Sequence, residues 1–141
     1  MKHVKTKKIA FYYLPLLLWS AGIFALSSVP GNGFQTYDLG MMIERKGAHI
    51  FEYAILAVLW VRVFWLRFKD EDNHSYHWAI FASFVYAVSD EIHQVFVFGR
   101  TGKISDVFID LAGIALGVWL YSYLIKKRNH RAAVHTKRVL G

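Results

Sequence analysis

The chain has 141 residues, which is the usual length of a single domain. Hydrophobic residues make up 55% of it and charged residues 19%, which is more apolar surface than a soluble domain of this size could cover. It contains no cysteine, which excludes a disulfide framework and thiolate chemistry.

Four apolar segments follow one another along the chain, each long enough to cross a hydrocarbon core of about 30 Å. They are residues 9–29, 47–66, 76–98 and 104–125. The first segment also has the basic start of a signal peptide, but its removal would leave the other helices unpaired, so an uncleaved anchor is expected. We therefore predict an all-α integral membrane bundle of four transmembrane helices.

The distribution of Lys and Arg near the segment ends predicts the orientation of the bundle. One side collects the larger group: Lys2, Lys5, Lys7, Lys8, Arg62, Arg67, Lys69, Lys126, Lys127, Arg128, Arg131, Lys137 and Arg138. The other side has Arg45, Lys46, Arg100 and Lys103. Both termini are therefore predicted to be cytoplasmic, as a basic arm at 1–8 and a basic tail at 126–141 around a domain at 9–125. Such clusters favour contact with anionic lipid. Nucleic-acid binding by the tail is the less favoured alternative.

Five carboxylates lie inside these apolar segments: Glu52, Asp90, Glu91, Asp106 and Asp110. An ionisable group at the centre of a membrane helix costs about 2.5–3.5 kcal/mol on insertion scales, so it usually faces a protein interior or a wet cavity. Because successive helices alternate in direction, all five acids are predicted to reach the leaflet away from the cytoplasm. This convergence predicts an outward-facing polar pocket built from the second, third and fourth helices.

Other polar residues join the acids at this end. Lys46, His49 and Tyr53 share one helix face, and Gln94 lies one turn after Asp90. Arg100 is expected to lie in a tight turn and to pair with Asp106 or Glu91, or else to bind an anionic headgroup. The predicted ligand-binding residues are Lys46, His49, Glu52, Tyr53, Asp90, Glu91, Gln94, Arg100, Asp106 and Asp110.

Several roles are compatible with this pocket. It could be an internal ion-pair network that fixes helix packing, or a binding site for a lipid headgroup or lipid-linked ligand. It could also be an enzyme site for a phospholipid or isoprenoid-linked substrate, with His49, Glu91 or Asp90 as the catalytic candidates. A metal site built from His49, Glu52, Glu91, His93 and the aspartates is a weak alternative, so no metal or other cofactor is predicted. Proton or ion transport is not favoured, because the inner half offers only Arg62 and His77 along a pathway. Gly113 and Gly117 form a small-xxx-small pattern that predicts close helix packing.

Three blocks of the sequence resemble the VanZ-like family of small bacterial membrane proteins. They are Phe24-Ala25-Leu26-Ser27-Ser28-Val29-Pro30, then Arg45-Lys46-x-x-His49-x-x-Glu52-Tyr53-x-x-Leu56, and Asp90-Glu91-x-x-Gln94-x-Phe96-x-x-x-Arg100 continued by Ser105-Asp106, Asp110, Gly113 and Gly117. The chain departs from the resemblance at Asp110, where many relatives have Asn, which implies that a negative charge there is not required for the chemistry of the family.

The resemblance implies a multi-pass protein of the bacterial cytoplasmic membrane with a role in cell-envelope physiology. In this family that role includes low-level resistance to teicoplanin, a lipid-tailed glycopeptide antibiotic. The implied partners are membrane lipids, and possible further ligands are a lipid-linked wall precursor or the glycopeptide itself.

Overall fold

Four α-helices make up the fold in a computed structural model that describes residues 2–31, 39–68 and 73–140, without the side chains of 2–8, 41–42 and 137–140. The helices are α1 (Lys2–Ser27), α2 (Leu39–Phe68), α3 (His74–Val95) and α4 (Ile104–Leu140). The described ranges contain no strand. The predicted all-α bundle of four helices is therefore confirmed.

The helices extend beyond the apolar segments, because helical hydrogen bonding does not stop where hydropathy falls. α2 begins at Leu39, before the predicted start at residue 47, and α4 runs on to Leu140 through the basic tail. With 37 residues α4 is about 55 Å long at 1.5 Å per residue, well beyond the bilayer core. α3 ends earlier than predicted, at Val95, and is followed by a turn in which Gly99 adopts a left-handed φ of 71°.

The helices alternate in direction, and α2 lies at the centre. α2 packs against all three other helices, α3 also contacts α1 and α4, and α1 does not contact α4 in the described part of the chain. The connections after α1 and after α3 meet at one end, where the Gly31 amide donates to the Phe98 carbonyl at 2.9 Å. This end holds the predicted polar pocket, and the chain termini lie toward the other end.

Among the described residues, three helices are long and apolar enough to cross a membrane: the spans are Ile9–Ser27, Ile43–Phe68 and Ile104–Thr136. Only 11%, 33% and 22% of their apolar windows is buried inside the protein, so most of this surface is available to lipid. α3 is not among these spans, and it buries mainly small and polar residues, among them Ser83, Asp90 and Gln94. Its large residues, such as Phe81, Val85 and Ile92, are exposed instead.

The helices are held together mainly by apolar packing along α2. Leu56, Ala57 and Val63 of α2 form the core with Leu16 and Ile23 of α1 and with residues of the other two helices. Near the middle of α1, hydrogen bonds join it to α2 and α3: Trp19 Nε1 donates to the Glu52 carbonyl at 3.0 Å, and Tyr86 Oη donates to the Ser20 carbonyl at 2.6 Å.

Some of the Lys and Arg residues that predict the orientation of the bundle lie outside the described part of the structure. Lys69 belongs to the undescribed connection after α2, and the structure does not describe the side chains of Lys2, Lys5, Lys7, Lys8, Lys137 and Arg138. The cytoplasmic location of both termini therefore stays a prediction.

Candidate functional site

Three side chains from three different helices meet at the polar end of the bundle: His49 of α2, Glu91 of α3 and Asp110 of α4. Each offers one nitrogen or oxygen atom, and these atoms all lie within 4.8 Å of one another. His49 Nδ1 and Asp110 Oδ1 share a hydrogen bond of 2.9 Å. Asp110 is fully buried and the His49 side chain is 15% exposed, so this pair joins the protein interior to its surface.

The close approach of α2 and α4 explains why His49 and Asp110 meet. A Cβ atom on Gly113 would overlap the backbone of Ile50, and one on Gly117 would overlap the backbone of Ala54. Because glycine has no side chain, the two backbones come into contact here, as the small-xxx-small pattern predicted. Asp110 lies one turn before Gly113, and His49 directly precedes Ile50, so the same contact brings their side chains together.

The acids of α3 extend the cluster. Glu91 Oε2 accepts a hydrogen bond of 2.8 Å from the Lys103 backbone amide, and Asp90 Oδ2 accepts one of 3.0 Å from Gln94 Nε2. Asp90 and Glu91 are each 5% exposed. The one-turn spacing of Asp90 and Gln94 on α3 allows this side-chain hydrogen bond.

Several buried oxygens of this cluster have no hydrogen-bond partner among the described residues. They are Asp90 Oδ1, Glu91 Oε1, Asp110 Oδ2 and the hydroxyl of Tyr53, whose ring stacks on His49 with centroids 6.4 Å apart. A buried polar atom without a partner costs about 1–3 kcal/mol, and more when it is charged. These oxygens are therefore available to bind protons, to accept hydrogen bonds from water or a ligand, or to coordinate a cation.

A small open pocket of about 70 Å³ lies directly beside this cluster. It is lined by Arg45, Lys46, His49, Thr101, Lys103, Asp106 and Ile109. In the described part of the chain, the ammonium groups of Lys46 and Lys103 have neither an ion pair nor a hydrogen bond. The pocket thus combines three cationic side chains with one carboxylate and a histidine.

The pocket contains lining residues that the sequence-based list of binding residues left out: Arg45, Thr101, Lys103 and Ile109. Arg45 directly precedes Lys46, and Lys103 belongs to the same basic group of the outer side, so charge alone could have indicated both. Thr101 and Ile109 carry no comparable signal, since only the folded arrangement brings the α3–α4 connection against α2.

Arg100 is placed differently from the sequence-based expectation. Its guanidinium donates from Nε to the Val29 carbonyl and from Nη2 to the Leu26 carbonyl, both at 3.0 Å. The expected pairing with Asp106 or Glu91 is therefore wrong. The carbonyls at the end of a helix lack partners within the helix, and a guanidinium can satisfy two of them at once.

Glu52 and His93 flank the cluster without joining its hydrogen bonds. Glu52 is half-buried and lies close enough to His49 and Asp110 for electrostatic interaction. His93 Nε2 is 3.0 Å from the Ser28 hydroxyl, and its ring stacks on Phe24 with centroids 4.5 Å apart. In the described residues His93 therefore contacts α1 rather than the acids.

The sequence model of the VanZ/LLP1 family matches residues 5–126, which include the whole cluster and pocket. The chain belongs to the VanZ/LLP1 family. The resemblance seen in the three sequence blocks is thus confirmed, and together with the apolar helices it makes this chain a membrane protein. No curated protein and no solved structure matches the chain.

Proposed function

We propose that this VanZ/LLP1 protein binds the anionic headgroup of a phospholipid or lipid-linked wall precursor at the outer face of the bacterial cytoplasmic membrane. Its role would lie in cell-envelope physiology, such as low-level tolerance of teicoplanin. The observation that carries the proposal is the pocket beside the His49–Asp110 pair, with Arg45, Lys46 and Lys103 around it.

The charges of the pocket support an anionic ligand. Each basic residue near a membrane surface is worth about 1 kcal/mol toward anionic lipid, and Lys46 and Lys103 have no acidic partner in the described structure. The Thr101 hydroxyl and the His49 ring add hydrogen-bonding groups to the same wall. A phosphate group needs these two features, positive charge and hydrogen-bond donors, in one small space.

The position of the pocket supports a membrane lipid as the source of that headgroup. The pocket lies at the end of the bundle where α2 and α4 enter their apolar spans, Ile43–Phe68 and Ile104–Thr136. Exposed apolar residues surround this end, among them Ile43, Phe98, Ile104 and Phe108. Acyl or isoprenoid chains could lie against this surface while the headgroup occupies the pocket.

An enzyme acting on the same lipid class is the second candidate, and the His49–Asp110 hydrogen bond favours it. A carboxylate that accepts from one ring nitrogen orients the imidazole and supports its protonation, as a general base requires. His49 lies on the pocket wall, where its other nitrogen could take a proton from water or from a substrate hydroxyl. Product formation from a phospholipid or isoprenoid-linked substrate that is lost in His49→Gln would distinguish catalysis from binding.

The binding proposal is tested by titrating purified protein with detergent-solubilised phosphatidylglycerol and phosphatidylcholine, using native mass spectrometry to count bound lipid. We expect wild type to prefer phosphatidylglycerol, and Lys46→Gln/Lys103→Gln to lose this preference by about tenfold or more, since each basic group contributes about 1 kcal/mol. The matched control is Lys46→Arg/Lys103→Arg, which keeps both positive charges at the same positions and should keep the preference. Equal loss in both double variants, or none in either, would contradict the proposal.

The physiological part is tested by teicoplanin and vancomycin susceptibility of a deletion host complemented with the same variants at matched membrane levels. Wild type and the control double variant should protect against teicoplanin, and the Lys46→Gln/Lys103→Gln variant should not. Protection by all three would separate antibiotic tolerance from the pocket, whatever the lipid titration shows.

A further inference from the structure

We propose that His49, Glu91 and Asp110 form a binding site for one divalent metal ion of the zinc or manganese class. The site shares His49 with the cationic pocket, but Glu91 and Asp110 do not line that pocket, and metal binding can be measured without any lipid. It rests on the geometry of three side chains from three helices and on carboxylate oxygens that lack partners in the described structure.

The distances fit coordination of a single ion. Ligand atoms bound at about 2.1 Å from one ion lie roughly 3 Å apart at a right angle and about 4.2 Å apart across the ion. His49 Nδ1 and Asp110 Oδ1 are 2.9 Å apart, and the donor atoms of all three residues lie within 4.8 Å of one another. The widest of these spacings therefore exceeds the ideal range by at most about 0.6 Å, which small side-chain rotations would close.

The unpartnered oxygens give an independent reason to expect a cation. Glu91 is 5% exposed and Asp110 is 0% exposed, and each has one carboxylate oxygen without a hydrogen bond in the described residues: Glu91 Oε1 and Asp110 Oδ2. The His49–Asp110 bond and the Lys103 amide satisfy only the other oxygen of each acid. Isolated buried carboxylates are costly, and a divalent ion would neutralise two of them at once.

The ligand types indicate the class of ion. One imidazole nitrogen and two carboxylates suit zinc, manganese or ferrous iron better than calcium, which prefers oxygen ligands alone. Three protein ligands leave at least one coordination position for water or for a ligand oxygen. His49 also lines the pocket, so an ion held by this residue would lie beside the space that we assign to the headgroup.

The first experiment measures metal on the full-length protein without a histidine tag, purified in detergent, stripped with EDTA and dialysed against Zn²⁺ or Mn²⁺. We expect about one ion per chain by elemental mass spectrometry and a higher unfolding temperature that EDTA reverses, since an ion that binds only the folded state stabilises it. A content well below one ion per chain for both metals would overturn the proposal without any variant being needed.

Substitutions then locate the ion. His49→Gln and Glu91→Gln should each lower the affinity by more than about 100-fold, since even the partners of metal ligands are worth 10–100-fold. The matched controls are His93→Gln, a histidine one turn from the acids that contacts Ser28, and Glu44→Gln, an exposed acid at the same end. Both controls should keep wild-type affinity.

Adventitious binding has a distinct outcome. His130 and His135 lie exposed on the tail part of α4 and remain intact in every variant. If the ion bound there, His49→Gln and Glu91→Gln would keep wild-type affinity, and the proposed site would be rejected. If His93→Gln lost the ion as strongly as His49→Gln did, the assignment of the ligands to His49, Glu91 and Asp110 would be wrong.

Discussion

The two halves of the bundle are held together in different ways. In the half that contains the polar end, cross-links between elements are hydrogen bonds of charged groups, such as His49 to Asp110 and Arg100 to the end of α1. In the other half, α2 carries an apolar core with Leu56 and Val63, and its aromatic rings stack along the helix. A membrane bundle can be assembled by packing alone, so the costly acids of the first half indicate function.

In the apolar half, the positively charged side chain of Arg62 packs against aromatic rings. The Arg62 guanidinium carbon lies 5.5 Å from the ring centres of both Phe11 and Tyr12. Trp60 stacks on Phe64 with centroids 5.3 Å apart, and Phe64 stacks on Phe68 at 5.9 Å. Cohesion in this half therefore needs no carboxylate among the described residues, while the polar half buries three, namely Asp90, Glu91 and Asp110.

The largest loss in the free energy of unfolding should come from disrupting the close packing of α2 against α4. Gly117→Leu places a side chain where the Ala54 backbone lies, so the helices have to separate, and we expect a loss of about 3 kcal/mol or more in the free energy of unfolding. Unfolding by SDS in mixed micelles measures this loss. Gly22→Leu on α1 is the control, since no atom lies within 4 Å of its added Cβ. Equal losses in both variants would show that packing at Gly117 is not special.

An intermediate effect should come from the polar cross-link at Arg100. Arg100→Gln removes two charged hydrogen bonds to the Leu26 and Val29 carbonyls, and their partial exposure limits the loss to about 1–2 kcal/mol. The same unfolding assay measures it, with Arg131→Gln in the exposed tail as the control. If Arg100→Gln kept wild-type stability but no longer bound phosphatidylglycerol, Arg100 would bind the headgroup instead of stabilising the fold.

The smallest loss of stability should come from removing the hydrogen bond between Tyr86 of α3 and Ser20 of α1. Tyr86→Phe removes a hydroxyl that donates to the Ser20 carbonyl at 2.6 Å, and we expect a loss of about 0.5–1 kcal/mol, as for other hydrogen bonds between membrane helices. Tyr123→Phe, an exposed ring of α4 whose hydroxyl makes no hydrogen bond in the described structure, should change nothing measurable. A Tyr86→Phe loss as large as that of Gly117→Leu would contradict the view that packing dominates this half.

The helix number and the polar end could be predicted because both depend on local patterns. Apolar length indicates helices in a membrane, and alternating direction places Glu52, Asp90 and Asp110 at one depth. The ends of the helices were harder to predict: α4 continues past residue 125 because hydropathy marks the bilayer portion of a helix and not its hydrogen bonding. The average hydropathy of α3 does not reveal which residues face the protein interior, because several polar residues are buried and its large apolar residues are exposed.

By itself, the sequence determined the family, the helical class and the gathering of acids at one end, since each follows from residue types at fixed spacings. Only the tertiary structure decided which of these residues touch. It paired His49 with Asp110 because Gly113 and Gly117 let α2 and α4 approach, and it directed Arg100 to the carbonyls of α1. Spacing along a helix determines the face on which a side chain lies, but the contact between faces depends on how closely the backbones can pack.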